Sequence, residues 1–159
     1  MIAGMEVTRL TISLEELLRF KRPCLLEFVS VDASSPRYVL LRGISNHGVW
    51  IQEGESGLRL VPQEELGKSW FGAVWIFLPM DSLVKGMKDE TDGDAVLRLQ
   101  KELSRLGYWE GAPTGKFDLR TRRAVMAFQR DVHLDANGEV SPQTRALMHQ
   151  LLGDEESDL

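Results

Sequence analysis

Residues 115–126 read GKFDLRTRRAVM, and an imperfect copy of this stretch, GEVSPQTRALM, begins 23 residues later. Each copy opens with a glycine and has an apolar residue two positions on, directly before a helix-capping side chain, Asp118 or Ser141. A threonine, Thr121 or Thr144, follows three positions after the cap. The glycine permits a tight turn, the apolar residue staples against the new helix, and the cap accepts hydrogen bonds from its first turn. The repeat therefore predicts two helices, each opened by the same turn.

Apolar residues around the repeat recur at helical spacing. They form three sets, and residues within a set lie on one face of a helix. The sets are Val96, Leu99, Leu103 and Leu106, then Ala124, Val125, Phe128 and Val132, then Leu147, Met148 and Leu151. This pattern predicts three helices between residues 93 and 152.

The first 80 residues have a different pattern. Five short runs of β-branched, aliphatic and aromatic residues alternate with turn-length polar gaps, which favours antiparallel strands. The predicted strands are 24–31, 37–44, 47–52, 58–62 and 73–79, with short helices at 13–20 and 62–70. The predicted fold class is α+β: a small antiparallel-sheet domain followed by a three-helix domain.

A change of composition marks the boundary between these parts. After Pro79 the stretch SLVKGMKDETDGD has few large apolar groups, several charges and two glycines, as expected of a connection. The predicted organisation is a sheet domain at 1–82, a linker at 83–92, a helical module at 93–152 and an acidic tail at 153–159.

Charge and composition argue against several functions. The net charge of −5 disfavours nucleic acid as a partner. The longest apolar run, GAVWIFLPM, is about half of a membrane span, so any membrane attachment is expected outside this chain. The opening residues lack the pattern of a signal peptide. The three histidines lie far apart in sequence, so no metal site and no cofactor are predicted.

The stretch VLRLQKELSRLGYWEGAPTGKFDLRTRRAVMAFQRDVHLDANGEVSPQTRALM resembles the peptidoglycan-binding domain-like repeat modules. The resemblance rests on the LQKELSRLGY opening, the turn at Thr114, the AVMAFQ block and the closing GEVSPQT. It implies a three-helix fold that binds peptidoglycan. Three positions depart from the family pattern: Thr114 replaces the usual Asp, while Asp118 and His133 stand where Gly is frequent.

The first 80 residues resemble, more weakly, the later half of the C39-like papain-type peptidase fold, as found beside such modules in general secretion pathway A proteins. The matching pieces are RPCLLEF, RYVLLRGI and VWIQEGESGLRLVPQEELGKSWFGAVWIFLP. Where active C39 peptidases have the catalytic His and Asp, this chain has Arg37 and Gln52 or Glu53. The catalytic cysteine would belong to an earlier segment that this sequence does not include. The resemblance implies a degenerate domain with no catalytic residue.

Basic and aromatic residues near the repeat are the predicted ligand site. An arginine can bind a stem-peptide carboxylate with two parallel hydrogen bonds, and an aromatic ring can stack on a sugar. An equally weighted alternative is a solvated charged face with the aromatic rings partly in the core. The predicted ligand-binding residues are Tyr108, Trp109, Lys116, Arg120 and Arg123.

These observations predict a protein that is not an enzyme and binds peptidoglycan without a chemical step. By resemblance it anchors a larger envelope protein, a general (type II) secretion pathway A-type assembly ATPase, and works with other secretion-system envelope proteins. It would be periplasmic, as the exported part of an inner-membrane protein. One alternative is an accessory part of a cell-wall hydrolase or peptidase. Another is a protein-interaction adaptor that uses Trp50, Trp70 and Trp75, although core packing also explains these tryptophans.

Overall fold

A computed structural model describes residues 4–29, 35–79 and 93–153. The described residues separate into two compact units. We call residues 7–77 the sheet unit and residues 93–152 the helical unit; residues 4–6 and 78–79 group with the helical unit and Gly153 with the sheet unit. The predicted linker, 83–92, lies outside the described residues, as does the predicted tail beyond Gly153. The predicted domain boundaries therefore stay predictions.

The described part of the chain contains one six-stranded sheet with the strand order β1-β6-β2-β3-β4-β5. The strands β2, β3, β4 and β5 form successive antiparallel pairs, and β6 pairs antiparallel with β2. The strands are β1 (Met5–Thr11), β2 (Cys24–Phe28), β3 (Arg37–Ser45), β4 (Gly48–Gln52), β5 (Arg59–Val61) and β6 (Ala73–Pro79), and the helices are α1 (Leu14–Leu17) and α2 (Gln63–Ser69). The prediction of an antiparallel sheet with two short helices is confirmed.

Strand β1 was not predicted from the sequence. In β1 the side chains of Thr8 and Leu10 are buried, whereas Val7 and Arg9 on the alternate positions are exposed. An apolar Val7 at an exposed position and a polar Thr8 at a buried one break the apolar alternation on which a strand assignment depends. The segment is a strand because it pairs with β6 at the edge of the sheet, which the sequence pattern did not reveal.

The β3–β4 hairpin has a tight turn and a bulge. Ser45 pairs with Gly48, and the register shifts between Leu41 and Gly43. Gly48 has a φ of +149°, and a Cβ atom there would collide with the carbonyl of Val61 on β5. A glycine is therefore required where these strands approach.

The core of the sheet unit is formed by alternate strand residues together with both short helices. Cys24 and Leu26 of β2 are fully buried, as are Leu17 of α1 and, nearly so, Leu66 of α2. Ser13 begins α1 with a capping box, because its hydroxyl accepts from the Glu16 N–H and the Glu16 carboxylate accepts from the Ser13 N–H.

The helical unit contains α3 (Asp94–Arg105), α4 (Leu119–Asp131) and α5 (Pro142–Leu152). The predicted three helices are confirmed, and their predicted apolar faces supply the core. Leu99, Leu103 and Phe128 are fully buried, and Leu147 is 2% exposed. Pro142 is the first residue of α5, where the missing N–H of proline is harmless.

Candidate functional site

A buried glutamine holds the first turn of the repeat. Gln100 of α3 has no exposed surface, and its Oε1 accepts hydrogen bonds from the N–H groups of Thr114 (2.7 Å) and Gly115 (2.9 Å). Its Nε2 donates to the Lys116 carbonyl (3.0 Å) and to the Thr121 hydroxyl (2.9 Å). The turn therefore has a fixed position relative to α3 and α4.

A second glutamine repeats this arrangement one helix later. Gln129 of α4 is 1% exposed, and its Oε1 accepts from the Gly138 N–H at 2.9 Å. Its Nε2 donates to the Glu139 carbonyl (2.8 Å) and to the Thr144 hydroxyl (3.1 Å). The sequence repeat is therefore a structural repeat, in which a glutamine of one helix holds the turn that opens the next.

Both predicted helix caps are confirmed. Asp118 Oδ1 accepts a 2.9 Å hydrogen bond from the Thr121 N–H, and the Ser141 hydroxyl accepts one of 3.1 Å from the Thr144 N–H. The hydrogen bond from the Thr121 backbone lowers the pKa of the Asp118 carboxyl below its ordinary value. The cap of α4 is therefore ionised at neutral pH, which also suits the positive end of the helix dipole.

Trp109 and Arg120 form one structural pair. The Arg120 guanidinium lies over the Trp109 ring, 4.4 Å from its centroid, and donates a hydrogen bond to the Glu110 carbonyl. The Trp109 indole is 4% exposed and donates to the Gly111 carbonyl at 3.2 Å. The ring is therefore beneath Arg120, and the charge of Arg120 is held in a defined place at the surface.

Tyr108 directly precedes Trp109 in the chain and contacts α4. Its ring meets the Phe128 ring edge to face with centroids 5.5 Å apart, and its hydroxyl donates to Asp131 Oδ2 at 2.9 Å. The residue is half-buried. Tyr108 therefore ties the end of α3 to α4 and leaves part of its ring accessible.

Lys116 and Arg123 are both exposed on or beside the start of α4. Within the described residues, neither side chain has a hydrogen bond, ion pair or ring contact with the Trp109–Arg120 pair. Lys116 lies two residues before the Asp118 cap of α4, and Arg123 lies in the second turn of this helix.

Sequence reasoning missed the roles of Gln100 and Gln129. The available signal was that each glutamine precedes a glycine-containing turn and that a threonine follows that turn, so each helix–turn pair has the same three residue types. The spacing differs between the copies: 15 residues separate Gln100 from Gly115, whereas 9 separate Gln129 from Gly138. This difference hides the repeat of the glutamines.

The sheet unit has an ion pair where the C39 resemblance places catalytic residues. Arg37 Nη1 lies 3.2 Å from Glu53 Oε2, and the Arg37 guanidinium also lies 4.9 Å from the centroid of the Phe28 ring. An arginine stays protonated at any physiological pH, so it cannot act as the general base that a histidine provides.

The single cysteine is sequestered. Cys24 has no exposed surface, and burial raises the pKa of its thiol from the ordinary 9.0 to about 12. A nucleophilic cysteine requires the thiolate, so Cys24 has the properties of a core residue.

Among residues 4–29, 35–79 and 93–153, no three His, Cys, Asp or Glu side chains form a group that could hold a metal ion. In the same ranges, no helix has the length and apolar character needed to cross a bilayer.

The fold and the paired glutamine turns define a small repeat module of three helices. Residues 92–148 match the family described as a putative peptidoglycan binding domain. The C-terminal part of this chain therefore matches a peptidoglycan-binding family, as the sequence resemblance implied. The match covers residues 93–148 of the helical unit and leaves the sheet unit outside it.

One curated protein has a segment similar in sequence to this chain, and one solved structure has a similar fold. The chain is 42% identical over 52 residues to the N-acetylmuramoyl-L-alanine amidase CwlM of Mycobacterium tuberculosis (strain ATCC 25618 / H37Rv), a match covering 33% of this chain and 13% of the amidase. It is similar in fold to a periplasmic domain of the EpsAB fusion protein of the Vibrio vulnificus type II secretion system. That likeness has a TM-score of 0.57 at 22% identity and covers 95% of this chain and 66% of the other.

A third neighbour is a double glycine motif protease from an AMS/PCAT transporter, with a TM-score of 0.41 at 24% identity. That likeness covers 48% of this chain and 52% of the protease. A TM-score at this level does not establish a common fold. The origin of the sheet unit as a degenerate C39-like domain therefore stays a prediction.

Proposed function

We propose that this chain binds peptidoglycan through its helical unit and performs no chemical step. The match of residues 92–148 to the peptidoglycan-binding family carries this proposal. The geometry of the module supports it, because two buried glutamines fix both turns and so hold the surface side chains beside them in place.

The proposed contact surface lies at the start of α4. Lys116 and Arg123 supply exposed cations for the carboxylates of peptide stems, and Arg120 adds a third whose position is set by the Trp109 ring. Tyr108 offers the accessible part of its ring to a sugar or an aliphatic side chain. In this arrangement Trp109 acts mainly through Arg120, because its ring is 4% exposed.

The absence of a chemical step is part of the proposal. Arg37 and Glu53 pair where a histidine and an acid would be needed, and the Cys24 thiol is buried with a pKa of about 12. These side chains do not combine a nucleophile with a base. The sheet unit would then serve attachment or recognition.

Co-sedimentation of the full chain with purified peptidoglycan sacculi tests the binding. We expect the wild-type chain to pellet and the Lys116→Gln/Arg123→Gln variant to bind at least about tenfold more weakly, since each lost charge-assisted hydrogen bond contributes about 1.5–3 kcal/mol. Arg130→Gln is the matched control. It removes an exposed arginine from the same face of α4, about 10 Å along the axis from Arg123.

Three results would reject parts of the proposal. Wild-type protein that stays in the supernatant rejects peptidoglycan binding. If Arg130→Gln weakens binding as much as the double variant does, the binding depends on overall charge and not on a defined site. If the double variant pellets like the wild type, the contact surface lies elsewhere on the module.

The finer proposal is that the module anchors a larger envelope protein, a type II secretion pathway A-type assembly ATPase, in the periplasm. Support comes from the fold likeness over 95% of this chain to the EpsAB periplasmic domain and from the sequence resemblance. Membrane attachment and nucleotide hydrolysis would then reside outside this chain. Exporting the chain in excess in a type II-secreting bacterium should reduce secretion by competing for wall sites. Undiminished secretion by a strain whose exported chain pellets with sacculi contradicts this role.

A second candidate is an accessory module of a wall hydrolase. The observation that favours it is the 42% identity to a segment of a protein named as an amidase. Here the module would bring a separate catalytic domain to its substrate. Fusing the chain to an amidase domain that lacks a binding module should increase turnover of insoluble sacculi but not of soluble muropeptides. An equal effect on both substrates rejects this candidate.

A further inference from the structure

One face of the sheet in the sheet unit is half-exposed. The side chains of Cys24 and Leu26 point to the core, so the intervening residue Leu25 and the next, Glu27, belong to the opposite face. We call this opposite face the outer face. It is rich in aromatic and aliphatic groups, including Tyr38 (46% exposed) and Trp50 (38% exposed). Tryptophan, tyrosine and arginine on one surface are the residue types enriched at protein interfaces.

On the outer face, the side chain of Arg9 from the edge strand β1 is held by Glu27 of β2. The Glu27 carboxylate accepts hydrogen bonds from Arg9 Nε (3.0 Å), Arg9 Nη2 (2.9 Å) and Trp75 Nε1 (2.6 Å). The Tyr38 ring meets the Trp75 ring edge to face at 6.5 Å. The hydrogen bond from Arg9 lowers the pKa of Glu27, so the carboxylate stays ionised and keeps the guanidinium oriented. Three of the five guanidinium N–H donors remain for another acceptor.

The two charged groups of the Arg9–Glu27 ion pair are unequally exposed on this face. The side chain of Glu27 is 9% exposed, whereas that of Arg9 is 45% exposed. Arg42 on β3 adds a second exposed cation at an outward position. Among the described strand residues that point outward, Glu27 is the one acid. The outer face therefore presents positive charge on a chain whose net charge is −5.

This charge selects among occupants. A second copy of the chain in a two-fold contact would place the same cations against each other, which is unfavourable. A neutral glycan would offer no carboxylate to Arg9, and the outer face also carries the half-buried aliphatic side chains Leu25 and Leu40. A protein segment with carboxylate and aliphatic side chains satisfies both features, because its acids can reach Arg9 and its aliphatic groups can pack on the rings.

We propose that the outer face, centred on Arg9, Tyr38 and Trp75, is a docking surface for an acidic and aliphatic segment of a partner protein. The contact is independent of the peptidoglycan site, since it uses the sheet unit. Glu27 is a positioning residue here. It holds Arg9 and leaves the outer side of the guanidinium to the partner.

Nuclear magnetic resonance on the full ¹⁵N-labelled chain tests the docking surface. The probe is a synthetic pentapeptide of alternating aspartate and leucine, acetylated and amidated, and its asparagine–leucine counterpart is the control probe. The acidic peptide should shift the indole signals of Trp75 and Trp50. The asparagine peptide should bind about tenfold more weakly, as expected for the loss of a charge-assisted hydrogen bond.

Variants separate a specific site from general attraction. Arg9→Gln should weaken the acidic peptide about tenfold, whereas Arg59→Gln, which removes an exposed arginine on β5, should not. Tyr38→Ala, an exposed change that spares the core, should also weaken binding. Equal binding of both peptides, or equal losses in Arg9→Gln and Arg59→Gln, overturns the proposal. Arg9→Gln should pellet with sacculi like the wild type, so failure of this proposal is distinguishable from failure of peptidoglycan binding.

Discussion

At the scale of single residues, Cys24 shows how burial determines reactivity. The thiol has no exposed surface and its pKa is raised to about 12, so only a minute fraction is thiolate near neutral pH. We expect the native protein to resist iodoacetamide at about pH 8 and the guanidinium-unfolded protein to be modified completely. Intact-mass spectrometry checks this result. Rapid labelling of the native chain would show that the core of the sheet unit opens to solvent.

Glu102 on α3 is an acid whose pKa is raised towards neutrality. Its Oε2 is buried without a hydrogen-bond partner among the described residues, and burial raises the pKa of the carboxyl from 4.5 to about 7. The unfolded chain therefore loses this proton before the folded chain does as the pH rises. The resulting stabilisation of the folded state by the protonated acid is present below about pH 4.5 and is lost between about pH 4.5 and pH 7.

Replacing Glu102 by Gln should remove this penalty. Above about pH 7, Glu102→Gln should raise the free energy of unfolding by at least about 1 kcal/mol, and the gain should vanish near pH 4. Urea denaturation at both pH values measures the difference, with Glu110→Gln as an exposed control. A gain of equal size at both pH values would mean that ionisation of Glu102 is not the cause.

At the scale of elements, the glutamine-held turns are the structural unit of the module. Replacing Gln100 or Gln129 by Leu leaves buried backbone N–H groups unpaired, and each change should lower the free energy of unfolding by about 2–4 kcal/mol. Gln143→Leu, an exposed change on α5, is the control. If replacing a buried glutamine lowers the free energy of unfolding no more than the control does, the turns keep their structure without the glutamine hydrogen bonds.

The same elements show what a sequence can predict. The caps Asp118 and Ser141 were predictable because a cap bonds an N–H three residues away, so its signal is local. The contacts of Gln100 were not, because its partners lie 14 to 21 residues further along the chain. The position of Arg120 over Trp109 depends on the fold of the whole connection between α3 and α4.

In the sheet unit, the strands also differ in how well their sequence predicts them. The five predicted strands have apolar runs, whereas four of the seven residues of β1 are polar or charged and do not alternate with the apolar ones. Trp70 illustrates the limit for function: it is 4% exposed and donates to the Ala73 carbonyl, so it belongs to the core, whereas Trp50 is accessible. Composition alone could not separate these two tryptophans.

At the scale of the whole molecule, net charge and local charge have opposite effects on wall binding. The chain carries −5, so long-range forces repel it from a carboxylate-bearing polymer, while Lys116 and Arg123 of the proposed contact surface would attract the same carboxylates at short range. Salt screens the long-range term first, because the Debye length falls from about 30 Å at 0.01 M to about 10 Å at 0.1 M. Sacculus binding should therefore rise between these concentrations and fall again towards 1 M.

The Lys116→Gln/Arg123→Gln variant separates the two effects, because it carries −7 and lacks the proposed short-range contacts. Its weak residual binding should rise with salt and show no fall, since only repulsion remains to be screened. Arg130→Gln, with a charge of −6, should keep the maximum of the wild type. A wild-type curve that falls steadily from the lowest salt would show that the cationic surface alone governs the approach to the wall, whereas a curve that never falls would exclude arginine and lysine from the contact.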